Sequence, residues 1–265
     1  MFISSALDGL KPQILKDLLA PSNDETAELF LCSLTSFVNF LLTGNVPDEI
    51  KKIFFGANLI ALNKKCGGVQ LIGVGNTMRR LCAKADRISN YVRVQWGYGR
   101  PKGAEAASHS ARLFVNSINS NNNVLFKFDY KNAFKSVRRD VMLQRTRETN
   151  LLIYPFTHAA YNQPSKIFYN GKHISSEVGA QQGDPKQPPL FVDTIKPLIQ
   201  SLNSSFNEWY LDDGNMADHY RVVLDDFIRL QFESEKLGLE RMRACFPGTR
   251  QHILQEFQQC AQAFR

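Results

Sequence analysis

The sequence predicts an α+β domain on three observations: short apolar strands alternate with amphipathic helices, no internal repeat is present, and no low-complexity linker divides the chain. With 265 residues and 43% hydrophobic content, the chain is long enough to bury a substantial core. A formal net charge of +7 and a pI near 9.2 suit a polyanionic partner without requiring one. The five cysteines (Cys32, Cys66, Cys82, Cys245 and Cys260) are odd in number and lack zinc-site spacing, so free thiols in a reducing, intracellular compartment are expected. Nucleus and cytoplasm are not distinguished. The opening Met1-Phe2-Ile3-Ser4-Ser5 has no basic stretch followed by an apolar run, and no secretory signal is expected.

Element by element, residues 23–42 read as a helix: Ser22, Asn23 and Asp24 are capping candidates, acidic residues follow, and Gly44 lies just past the end. Its most apolar part, 29–42, is short for a bilayer span and carries Ser33, Thr35, Ser36 and Asn39, which predicts a buried helix and no membrane partner. Residues 53–62 and 69–74 flank Lys64-Lys65-Cys66-Gly67-Gly68 and predict a hairpin with a basic, glycine-rich tip. Asn76-Thr77 is placed to cap a helix bearing Arg79, Arg80, Lys84 and Arg87. An asparagine-rich break at 116–123 ends the next helix, and Val124-Leu125-Phe126-Lys127-Phe128 is a compact strand ending at Asp129. The spacing of Phe134, Val137, Val141 and Leu143 predicts a helix over 131–147, which puts Asp129 at a strand-to-helix junction. Asn170-Gly171, between 166–169 and 173–175, is a strong type I′ hairpin signal. Trp209-Tyr210-Leu211 is a short strand entering a tight turn at Asp212-Asp213-Gly214, and Val222, Val223, Phe227, Ile228 and Leu230 lie on a helix closed by Lys236 and Gly238. Residues 251–264 have the pattern of an amphipathic helix.

Two of these junctions place carboxylates at strand ends, Asp129 after one strand and Asp212-Asp213 after another. Magnesium takes carboxylate oxygen and keeps several waters, so two or three aspartates on adjacent strands are enough to hold it for phosphoryl transfer. Read locally, the simpler account is that Asp-Asp-Gly is a polar turn and Asp129 a helix cap.

In series the segments carry more. Phe128-Asp129-Tyr130-Lys131-Asn132-Ala133-Phe134 resembles motif A of the reverse transcriptases, Gln181-Gln182-Gly183-Asp184-Pro185 resembles motif B, and Tyr210-Leu211-Asp212-Asp213 resembles the Y-x-D-D motif C. Gly75-Asn76-Thr77-Met78-Arg79-Arg80-Leu81 is similar to a fingers motif, and Glu233-Ser234-Glu235-Lys236-Leu237-Gly238-Leu239-Glu240 to the approach to motif D. The order and separations match, and the resemblance is to the non-LTR (LINE-type) retrotransposon enzymes.

That resemblance implies a right-hand polymerase palm and fingers, an antiparallel palm sheet packed on helices, with the thumb lacking or truncated. It implies fingers and an N-terminal helical region with the start of the palm over 1–123, palm over 124–245, and a C-terminal helix over 246–265. It implies an RNA-directed DNA polymerase with an RNA template, a DNA primer, deoxynucleoside triphosphates and the remaining domains of a longer polyprotein as partners. Two Mg2+ ions, replaceable by Mn2+, would be held by Asp129, Asp212 and Asp213. Phe134 matches the aromatic position that excludes a 2′-hydroxyl, although periodicity alone makes it a core residue equally well. Backbone amides at Lys131, Asn132 and Ala133 would cradle the triphosphate, and Gln182 and Gly183 would lie beside the nascent pair. Lys64 and Lys65 are candidates for triphosphate contact, and Arg79 and Arg80 for template phosphates; the bland reading is that each merely solvates its loop or helix.

Three departures from the family pattern bear on activity. Gln70-Leu71 stands where arginine and proline are usual, Lys186-Gln187-Pro188-Pro189-Leu190 where leucine, glycine and proline follow, and Arg241-Met242-Arg243-Ala244-Cys245 where motif D has a lysine. Two readings therefore stand side by side: a polymerase, whose turnover these changes leave open, or a catalytically inactive palm-fingers module that binds nucleic acid or protein. No G-x-x-x-x-G-K-[ST] loop or H-R-D motif supports another phosphate-handling class.

Overall fold

Among the described residues the strands form two four-stranded sheets, and each sheet belongs to one of two units. The computed structural model describes residues 8–20, 24–63, 67–85, 94–117, 122–239, 242–245 and 255. In chain order the elements are α1 (Pro12–Leu18), α2 (Asp24–Leu42), α3 (Asp48–Phe54), β1 (Ala57–Asn63), β2 (Val69–Gly75), α4 (Thr77–Ala85), α5 (Gly103–Ser117), β3 (Asn123–Tyr130), α6 (Ala133–Ser136), α7 (Arg139–Thr149), α8 (Tyr154–Tyr161), β4 (Ser165–Tyr169), β5 (Lys172–Ser176), α9 (Gln187–Gln200), β6 (Phe206–Tyr210), β7 (Asp213–His219), α10 (Tyr220–Lys236) and β8 (Met242–Cys245). The units interleave: Met1–Ile88 with Arg139–Gln187 in the first, Ser89–Arg138 with Pro188–Arg265 in the second. The expected contiguous blocks differ from this division, because strands distant in sequence pair within one sheet.

In the first unit the order is β2-β1-β4-β5, with β1 and β2 antiparallel in the expected hairpin and β4 joined parallel to β1. The β4–β5 turn is Asn170-Gly171 with φ of 46° and 73°, the left-handed pair that a type I′ turn requires. Asn76 caps α4 by accepting from the Met78 amide at 2.8 Å. The expectation for α2 is corrected. Among its described side chains only Val38 and Leu41 are buried, whereas Leu29 (66%), Leu31, Phe37 and Phe40 are exposed. By length and composition, Glu25–Leu42 also reaches what a membrane span needs, against the expectation of too short a run.

The second unit contains the antiparallel sheet β6-β7-β3-β8. Along β3, Val124, Phe126, Phe128 and Tyr130 are buried, so the period of two turns Lys127 and Asp129 to the other face. The inward side chains pack with Phe191, Ile195, Trp209, Met216, Phe227 and Leu230 from α9, β6, β7 and α10. Each such large apolar side chain contributes roughly 1.5–3 kcal/mol on full burial. The α10 helix ends as expected at Gly238, φ 75°, with the Leu239 amide donating to Ser234 O at 2.9 Å and the Gly238 amide to Glu235 O at 3.0 Å.

Two further expectations are corrected. The single helix over 131–147 is two, α6 and α7. Val137 between them is extended, and the Arg138 amide donates to Leu237 O at 2.8 Å, which turns the chain away from a continuous helix. The turn after β6 is Leu211-Asp212, while Gly214 lies within β7. Glycine is required there by packing: a Cβ would fall 2.1 Å from the Phe128 ring. Ser22, Asn23, Lys64, Lys65, Arg87 and, apart from Gln255, the 251–264 segment lie outside the described residues.

Candidate active site

The acidic site is built on the strand pair β3 and β7 and on the turn that leads into β7. Antiparallel register sets Asp129 directly opposite Asp213. Like charges facing each other across a ladder are destabilising, and nothing in strand geometry favours the pair. Asp212 joins them from the turn, where Leu211 adopts φ 57°, a conformation that costs a side-chain-bearing residue on the order of 1–2 kcal/mol. The Asp212 carboxyl is pushed up to about 6. Burial is the largest cause; its own backbone amide opposes the shift, and the charges of Asp213 and Asp129 add to it. Asp213 is raised as well, by partial desolvation and by Asp129, with Lys127 opposing.

By donor type alone, these carboxylates suit magnesium, a hard cation that takes oxygen ligands. Three carboxylates repel one another where a divalent cation would relieve the repulsion, and magnesium takes only one or two carboxylates alongside waters and phosphate oxygens. Among the described residues no group of three or more His, Cys, Asp or Glu side chains is arranged to hold a metal ion.

Around the aspartates, Lys131 and Asn132 are exposed and Ala133 is buried. Asn132 has φ 55° and its carbonyl accepts from the Lys135 amide at 2.7 Å, so the predicted cradle is a four-residue turn of helix and not the start of a long one. Phe134 is partly buried, its ring 4.7 Å from that of Phe191, so it does pack on the core as periodicity suggested.

The motif B residues belong to the first unit. Gly183, φ 102°, lies against β2: a Cβ there would come 2.2 Å from Gly73 O, and the Gly73 amide donates to Gln182 O at 2.8 Å. The close approach that glycine permits is thus to the chain's own backbone. Arg79 is a correction. Its guanidinium is buried (2% exposed) and pairs with Asp184 at 2.5 Å, while Nη1 donates to Phe55 O and Gln181 Oε1, which withdraws it from the surface where a template phosphate would meet it. Asp184 also accepts from the Tyr161 hydroxyl at 2.7 Å and the Lys186 amide at 2.9 Å. Burial pulls Arg79 down, but Asp184 and Tyr161 outweigh it and the net shift is upward. Lys186 and Gln187 are buried too, with Gln187 Nε2 donating to Ala180 O at 3.1 Å. Arg80 is half-buried on α4.

No protein-family model and no curated protein matches the sequence. Solved structures do. Telomerase from Candida albicans, in complex with a TWJ fragment of telomeric RNA, matches with a TM-score of 0.54 at 10% identity, covering 85% of this chain and 47% of that one. Apo telomerase from Candida tropicalis, truncated from its C-terminal domain, gives 0.50 at 10% identity, covering 75% and 51%. The fold is reverse-transcriptase-like. At these identities the likeness is one of fold, and the chain spans about half the length of the telomerases it matches. Within this reverse-transcriptase-like fold, sequence reasoning missed Asp184 as the partner of Arg79 and missed Gln95, whose side chain bonds to Leu211 in the turn bearing Asp212.

Proposed function

We propose that the chain is the palm and fingers of an RNA-directed DNA polymerase of the non-LTR type. The observation that carries this reading is the convergence of Asp129, Asp212 and Asp213 on one strand pair and turn in a reverse-transcriptase-like fold. Asp129 and Asp212 would be the main holders of two magnesium ions, with Asp213 accessory. Bound there, the ions would activate the primer hydroxyl and neutralise the leaving pyrophosphate. Phe134, partly exposed and braced on Phe191, would wall off a 2′-hydroxyl at the incoming sugar. Backbone amides at Lys131–Ala133 would orient the triphosphate, and Gln182 and Gly183 would meet the templated base pair from a loop fixed on β2. RNA template, DNA primer and deoxynucleoside triphosphates are the proposed substrates, with Arg80, Lys64 and Lys65 as the remaining basic contacts.

Primer extension on an RNA template with Mg2+ or Mn2+ tests this. Extension by the wild type that is lost in Asp212→Ala supports the polymerase. No extension by either sinks it for this chain. The second reading, a non-catalytic nucleic-acid module, is favoured by Gln70 where an arginine is usual and by the diversion of Arg79 into the interior. It requires binding to a primer–template duplex that weakens as salt rises, and absence of binding at low salt removes it.

A further inference from the structure

The turn that carries Asp212 lacks the residues that would let it hold itself. Leu211 takes a left-handed conformation without the asparagine or glycine that normally occupies it, in contrast to Asn170-Gly171. What stands beside the turn is Gln95, 116 residues earlier and buried. Its Oε1 accepts from the Leu211 amide at 2.7 Å and from the Gly97 amide at 2.9 Å, and its Nε2 donates to Leu211 O at 3.1 Å. One carboxamide thus satisfies both backbone polar groups of the strained residue. The segment bearing it is tied to β6: the Trp96 amide donates to Trp209 O, and the Trp209 amide to Val94 O, each at 2.8 Å. Gly97 comes so close that a Cβ would fall 2.6 Å from Leu211 N.

We infer that Gln95 is a positioning residue for the acidic site, fixing the Leu211-Asp212 turn so that the Asp212 carboxylate is held beside Asp129 and Asp213. The catalytic meaning of this clamp rests on the polymerase reading; the clamp itself rests on hydrogen bonds within one unit. Glutamine suits the task because its oxygen accepts twice while its nitrogen donates. Methionine fills the same volume and does neither. Asparagine is one methylene too short to reach both groups from the same backbone.

The test uses the whole chain with Gln95→Met, Gln95→Asn as a second variant should methionine prevent folding, and Ser204→Ala as a control that removes a buried hydrogen bond to Asp226 elsewhere in the same unit. Amide hydrogen exchange at Leu211 and manganese affinity by electron paramagnetic resonance are measured. Loss of the clamp is expected to speed Leu211 exchange about tenfold relative to Phe126 in β3, and to weaken manganese about tenfold, with Ser204→Ala changing neither. Leu211 exchange equal to wild type in the Gln95 variants, or manganese weakened as much by Ser204→Ala, overturns the inference. If the wild type takes up no manganese, the polymerase reading fails, and Leu211 exchange alone decides whether Gln95 clamps the turn.

Discussion

Two acidic sites among the described residues obey opposite rules. In the first unit Asp184 is buried and fully answered, by Arg79, the Tyr161 hydroxyl and the Lys186 amide. In the second, Asp129 and Asp212 are partly buried and Asp213 is exposed, and the neighbours that shift Asp212 most after burial and its own amide are other aspartates. One cluster spends charge on internal order. The other keeps carboxylates close, with Lys127 opposing the shift at Asp213, an arrangement that costs stability.

Breaking the paired cluster gives the largest expected effect. Asp184→Ala strands the Arg79 guanidinium in the interior and is expected to cost about 3–5 kcal/mol in urea denaturation. Replacing both partners, Arg79→Met with Asp184→Leu, is expected to recover more than half of that loss in the same measurement, because no charge is then left buried alone. Gly214→Ala strikes the support of the second cluster by driving a Cβ into Phe128, and should cost about 1–3 kcal/mol by thermal unfolding. Asp212→Asn goes the other way. Since the folded state raises this carboxyl from 3.8 to about 6, its contribution to stability is intact below pH 4 and is lost as pH rises through 6. The variant should therefore exceed wild type by about 1 kcal/mol above pH 6, after discounting for partial exposure, and match it below pH 4. Asp213→Asn should show the same sign with a smaller gain, in pH-dependent denaturation curves.

What the sequence made legible was local. The apolar run 124–128, the Asn170-Gly171 turn, the Asn76 cap and the Gly238 stop each carry their own signal, and each stands where it was expected. Strand ends and motif spacing mark the acidic residues in the sequence, and the register sets Asp129 opposite Asp213. The partner of Arg79 was not, since Asp184 lies 105 residues away and no local pattern links the two. The turn was misplaced at Gly214 for a similar reason: a leucine at positive φ gives no warning, and its support comes from Gln95 in a distant segment. The helix expected over 131–147 broke because Arg138 bonds to the end of α10, a tertiary contact that overrides periodicity.

The central claim, that the three aspartates are held together for a divalent cation, is tested most directly by unfolding at pH 7 with and without magnesium. Wild type is expected to gain about 2.7 kcal/mol at a magnesium concentration one hundred times its dissociation constant, and Asp212→Asn, already relieved of the repulsion, to gain far less. Equal gains in both proteins, or none in wild type, would contradict it.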